Sequence, residues 1–229
     1  MIPVSTAVRY HLGRSLLGLA LLAGSVTLAH AGAQREEPLA NAVRTALSAA
    51  IAQSVPPVPV FVDDRRKESY ERWKRGAGER LKKRKPDDLV REEFLRTVWY
   101  EATRAGLDPT LVLGLVEVES GFRKYAISVA GARGYMQVMP FWSRTIGDGD
   151  AARLFHMQSN LRFGCVILRH YLDIEKGDLF LALGRYNGSR GRPEYPNAVL
   201  GARKRWENAV AEGTPRVVAS ITSASPGTR

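Results

Sequence analysis

From Asp87 to Ala211 the apolar residues recur at the three-to-four-residue spacing of a helix, and glycine or proline breaks each run before the next one begins. That pattern calls for an all-α domain. Asp87 or Asp88 caps a helix running to Ala105, with Leu89, Phe94, Leu95, Val98 and Trp99 on its inner side and Gly106 at its end. Asp108 followed by Pro109 is a cap with proline at the first helical position. The helix it opens carries the apolar run Leu111–Val116 and ends on Glu119. Residues 121–134 hold three glycines and no helical period, so they read as a small loop or hairpin inserted after that helix. Pro140 starts a short helix reaching about Ile146. An amphipathic helix then covers Asn160 to Ile174, with Leu161, Cys165, Ile167, Leu168, Tyr171 and Leu172 turned mostly inward. Asp178 caps a helix ending near Tyr186, and a loop with Gly188, Gly191, Pro193 and Pro196 precedes the last helix, which extends to about Ala211.

The flanks have a different character. Residues 1–31 begin with Arg9 and Arg14, continue through an uncharged and mostly apolar stretch, and close on Ala29-His30-Ala31, the outline of a secretory signal peptide. The apolar run falls short of the ~20 residues that span a bilayer, which argues against a membrane anchor. Residues 32–86 are an N-terminal region with a helix-like stretch from Leu39 to Ile51, a stiff linker at Pro56, Pro57 and Pro59, and a basic segment at 65–85 interrupted near Gly76 and Gly78. The compact helical domain is expected at 87–211, and residues 212–229, rich in Ser, Thr, Pro and Gly, are expected to form a disordered tail. The formal charge is +11, and the chain stays strongly basic without residues 1–31, which hold two arginines and no acid. Such a charge attracts anionic polymers and phospholipid headgroups as readily as nucleic acid. No nucleic-acid-binding motif is present, so nucleic acid is not an expected partner. The solvated face of a surface helix is the plainer account of the basic segment. Cys165 is the single cysteine, so no internal disulfide forms, and it lies too far from the cleavage site to carry a lipoprotein's lipid. The four histidines, His11, His30, His156 and His170, show no metal-ligand spacing, and no phosphate loop is present; neither metal nor cofactor is expected.

Glu119 is the residue around which chemistry can be built. A carboxyl with an apolar back keeps its proton near neutral pH, and a poor leaving group such as a glycosidic oxygen departs only when protonated. Glu119-Ser120-Gly121-Phe122, Ser128 to Gly134, Met136-Gln137-Val138-Met139-Pro140 and Tyr186-Asn187 occur in an order that resembles the motifs of the soluble lytic transglycosylases. Asn160-Leu161, Gly164 and Tyr171-Leu172 match a further signature, and the likeness covers roughly Asp87 to Val199.

The signal peptide implies a periplasmic or secreted location, a monomer is expected, and the charge of 65–85 makes that segment a contact for anionic envelope polymers or lipid headgroups. The resemblance implies a lysozyme-like helical fold acting on peptidoglycan glycan strands. It implies cleavage between N-acetylmuramic acid and N-acetylglucosamine with formation of a 1,6-anhydromuramic end. Glu119 would act first as general acid and then as base. Ser120, Gln137 and Asn187 are candidates for hydrogen bonds to the sugar acetamido groups or to cleft backbone, Met136 for cleft wall, and Tyr186 for orienting the acid. Glu117, two residues away, faces a different direction on the helix and is expected to be a structural or solvent-facing acid. Tyr135 stands where leucine is usual, Arg185 where alanine usually precedes the tyrosine, and Pro196 where a β-branched residue is common. Two other readings compete: a muramidase that admits water, and a non-catalytic peptidoglycan-binding module.

Overall fold

The structure, a computed structural model, describes residues 34–52 and 61–212. Residues 1–31, the proline linker and the tail from 213 lie outside the described residues. The described residues form eight α-helices: α1 (Asn41–Ala52), α2 (Asp64–Leu81), α3 (Asp88–Arg104), α4 (Pro109–Ser120), α5 (Phe141–Ile146), α6 (Met157–Ile174), α7 (Leu179–Asn187) and α8 (Glu194–Glu212), with a 3-10 turn at Ala151–Phe155. No strand occurs among them, and the loop after α4 carries only isolated bridges between Ile127 and Arg133 and between Arg133 and Val138. The fold is all-α with a small hairpin-like insert. Among the described residues no helix is long and apolar enough to cross a membrane.

Aspartates set the helix starts. Asp87 accepts from the Val90 amide at 2.9 Å, Asp108 from Thr110 at 2.7 Å and Asp178 from Leu181 at 2.9 Å, each satisfying an amide that has no partner within its helix. The first of these caps is Asp87, and Asp88 lies inside α3. Leu89 is 80% exposed, against expectation. It lies five residues before Phe94, which turns it well away from the stripe of Phe94, Leu95, Val98 and Ala102 that α3 buries.

Two expectations about the basic segment need correction. No break occurs at Gly76 and Gly78: α2 is continuous, and Gly76 is the point where it presses on α8, so that a Cβ there would sit 2.3 Å from the Ala209 carbonyl oxygen. The expected division at 86/87 is not a packing boundary either, because α2 sends Tyr70, Trp73, Ala77 and Leu81 into the same core as α3 to α8. Much of the charge is also engaged. Arg80 lies 4.8 Å from the Trp206 ring, Arg84 5.5 Å from the Phe122 ring, and Lys85 is buried.

α4 runs through the middle of the assembly, with Thr110 to Val116 all buried and its widest packing against α8. α6 packs against α3 and α7 and holds Cys165 fully buried. α1 is docked by arginines: Arg162 pairs with buried Glu101 at 2.8 Å and donates to the Ile51 carbonyl at 3.3 Å, while Arg104 donates to the Ala50 carbonyl.

Candidate active site

The last turn of α4 delivers Glu119. Gly121 then adopts φ 58 and Phe122 φ 68, two left-handed residues in succession, so the chain leaves the helix abruptly and the acid stays at its end. Glu119 is 5% exposed. The Tyr195 hydroxyl donates to Oε1 at 2.5 Å, and Oε2 is buried without a hydrogen-bond partner. Burial pushes the carboxyl up to about 8, against the opposing pull of the Tyr195 bond. At neutral pH it holds a proton.

Burial holds the Tyr186 pKa well above its ordinary value, and Glu119 lies near enough to add to that rise, but Tyr186 does not bond the acid. Its fully buried hydroxyl donates to the Met136 carbonyl at 2.7 Å, and the hydroxyl on Glu119 belongs to Tyr195. Tyr195 opens α8, 76 positions further along the chain, and no local pattern marks it. Only the packing of α8 on α4 brings it there.

The turn at 133–138 faces Ser120 and α6 and is fastened at almost every polar group. The Met136 amide donates to Asn160 Oδ1 at 2.7 Å, and Asn160 Nδ2 donates to the Arg133 and Leu154 carbonyls, each at 2.8 Å. Gly134 has φ 74, and a Cβ on it would lie 2.4 Å from Asn160 Nδ2. Glycine is therefore required twice over, by backbone conformation and by space. Ser120 Oγ donates to the Tyr135 carbonyl at 2.7 Å and lies 3.2 Å from the Val116 carbonyl, so its polar contacts are to backbone. Gln137 is also left-handed, φ 47, a conformation that costs a non-glycine residue about 1 kcal/mol or more. Its own Nε2 holds it there by donating to Gly134 at 2.9 Å and Ala126 at 3.1 Å. Met136 is fully buried in the core and Met139 partly so, so Met136 offers no surface to a cleft wall, against expectation.

Asn187 Nδ2 donates to Ser189 Oγ at 3.0 Å, leaving its buried Oδ1 without a hydrogen-bond partner. The loop behind it is tied down by Glu175, which accepts from Arg185 Nε at 2.8 Å and Arg190 Nε at 2.7 Å; the bond from Arg190 is foremost in drawing that carboxyl down to about 2. Arg185 also reaches Glu37 at 3.0 Å. Nearby, buried Gln34 accepts from Trp142 Nε1 at 3.0 Å. Glu117 turns away from Glu119 toward Arg205 at 3.0 Å, Arg80 at 3.8 Å and Arg84 at 4.0 Å. Two cavities, of about 570 and 600 Å³, flank α1, and neither is lined by Glu119. Among the described residues no cluster of His, Cys, Asp or Glu could hold a metal ion.

Residues 97–208 match the protein-family model described as a transglycosylase SLT domain. That segment is similar to the SLT domain. Relatives point the same way. A membrane-bound lytic murein transglycosylase C of Actinobacillus pleuropneumoniae is 39% identical over 84 residues, 33% of this chain and 23% of its own length. A transglycosylase of Enterobacteria phage PRD1 is 31% identical over 103 residues, 45% of this chain and 37% of its own. Among solved structures, an inactive mutant of the lytic transglycosylase Slt from Pseudomonas aeruginosa matches 51% of this chain and 22% of its own, at 24% identity and a TM-score of 0.39. This chain's match spans about a quarter of the length of the lytic murein relatives.

Proposed function

We propose that the chain is a peptidoglycan lytic transglycosylase in which Glu119 is the single acid and base. The observation that carries this is a buried carboxyl, held protonated at neutral pH, with one oxygen fixed by Tyr195 and the other unengaged. Support comes also from the SLT domain and from relatives named lytic murein transglycosylases.

In the proposed reaction Glu119 gives its proton to the glycosidic oxygen as the bond from the muramic C1 to that oxygen breaks. The substrate's own N-acetyl group steadies the cationic centre, an arrangement known among glycosidases that lack a protein nucleophile. The C6 hydroxyl then bonds to C1, and its proton returns to the Glu119 carboxylate. No water is consumed and the acid is restored. Glu117 does not serve as the second carboxylate of a hydrolase, because it is turned toward three arginines.

Peptidoglycan lies outside the cytoplasmic membrane, so this reading carries a periplasmic or secreted location with it. Retention on anionic envelope polymers would draw on the exposed Arg65, Arg66, Lys67, Lys82 and Lys83 rather than on Lys85, which is buried. The test is digestion of purified sacculi with mass spectrometry of the products. Muropeptides ending in 1,6-anhydromuramic acid are expected. Reducing muramic ends would assign a muramidase, and undigested sacculi a binding module.

A further inference from the structure

We propose that Lys85 is a positioning residue for the glycan-cleaving site, holding through Tyr135 the turn that packs beside Glu119. This inference rests on the transglycosylase reading above, and Lys85 lies outside the segment that matches the SLT domain.

Lys85 is 8% exposed and forms no ion pair among the described residues. A buried ammonium is costly unless its donors and its charge are satisfied. Here Nζ donates to the Tyr135 hydroxyl at 2.7 Å and lies 4.5 Å from the Tyr135 ring centre and 4.8 Å from that of Phe94. The backbone of Lys85 is clamped as well: its amide donates to the Leu81 carbonyl at 2.9 Å, and its carbonyl accepts from Arg91 Nη1 at 2.7 Å. The ammonium is therefore presented from a rigid corner. Burial, reinforced by the charge of Lys124, lowers its pKa to about 8, so it remains a charged donor at neutral pH.

Tyr135 passes the constraint on. Its ring packs 5.0 Å from Phe94 and its carbonyl accepts from Ser120 Oγ, the residue after the acid. The next residue, Met136, is gripped by Asn160 at its amide and by Tyr186 at its carbonyl. Asn160, Tyr186 and Ser120 all hold backbone. Lys85 holds the side chain, and so fixes the rotation of Tyr135 about its own backbone. An apolar pair would fill the same space without that directional bond.

The test compares Lys85→Met, Tyr135→Phe and Lys85→Met/Tyr135→Leu in the full chain, with Lys204→Gln, at an exposed position on α8, as the surface control. Turnover of a soluble glycan fragment and amide hydrogen exchange across 133–138 are both read. A misplacement near 1 Å is enough for a large rate loss, so Lys85→Met should lower kcat by ~10-fold or more with KM changed by less than about twofold. Exchange across 133–138 should quicken while 111–116 in α4 stays protected. Tyr135→Phe should move both readouts in the same direction, and the double variant, which fills the space but lacks the bond, should not recover the lost kcat. Exchange in the turn as slow in Lys85→Met and Tyr135→Phe as in Lys204→Gln would overturn the proposal. If the wild-type chain leaves glycan intact, the transglycosylase reading falls by itself, and the exchange comparison still decides whether Lys85 holds the turn.

Discussion

At Glu119 the physics of burial and the chemistry of proton transfer make opposite demands. Because the buried carboxyl titrates near 8 and an unfolded one near 4.5, the folded chain keeps a proton across that interval that the unfolded chain has released. Stability therefore falls as pH rises from about 4.5 to 8 and levels off above. Glu119→Gln removes the titration, and its melting temperature relative to wild type should climb between about pH 4 and about pH 8, read by circular dichroism. The same substitution should lower turnover by at least ~10²-fold, since an amide supplies no acidic proton. Wild-type activity should decline as pH passes about 8, where the acid is lost. Tyr195→Phe removes the hydrogen bond that opposes burial, so the carboxyl pKa should rise further. The alkaline limb of the rate profile should then shift upward as the maximum rate drops. An unmoved limb would show that Tyr195 does not bear on the acid. The place of Glu119 at a helix end was legible in the sequence, because an apolar run, a cap and a glycine stop are local signals. Tyr195 was not, since its distance from Glu119 is set by how two helices meet.

Single side chains also decide how helices and turns are joined. Asn160 satisfies three backbone groups of the 133–136 turn and the 3-10 segment with one carboxamide. Asn160→Ala should strand buried polar groups worth ~1–3 kcal/mol each, lowering the urea midpoint and turnover together. On the other side of the molecule, Gly76→Val should force α2 off α8, because the close approach to Ala209 leaves no room for a side chain. Overpacking of this kind typically costs ~1–3 kcal/mol, and a thermal melt would show it. The two glycines of α2 read as a break because isolated glycine weakens a helix. The structure uses Gly76 for a contact 133 positions away, information that no window along the chain contains. Aspartate caps, in contrast, are decided within three residues, and Asp87, Asp108 and Asp178 were visible for that reason.

At the scale of the molecule, α2 belongs to the body it precedes. Tyr70, Trp73, Ala77 and Leu81 are buried, and Arg80 and Arg84 reach Glu117 on the acid-bearing helix. A fragment of residues 87–212 should consequently melt well below one of residues 61–212, with exposed apolar surface along α3 and α8. Equal melting temperatures would show that the helix is dispensable. Charge density made this segment look separate, because arginine and lysine dominate its composition whether or not their stems are covered. The helical content of the whole was plain from period and punctuation. The seating of one helix on another was not, since it depends on which faces fit.

Cys165 turns the packing of α6 into a clock. It is the chain's single thiol, it lies fully buried, and burial holds its pKa well above the ordinary range. A thiol reagent can reach it only when the interior opens, so the labelling rate at rising reagent concentration counts opening events one molecule at a time. No probe has to be engineered, and no other sulfhydryl competes for the signal.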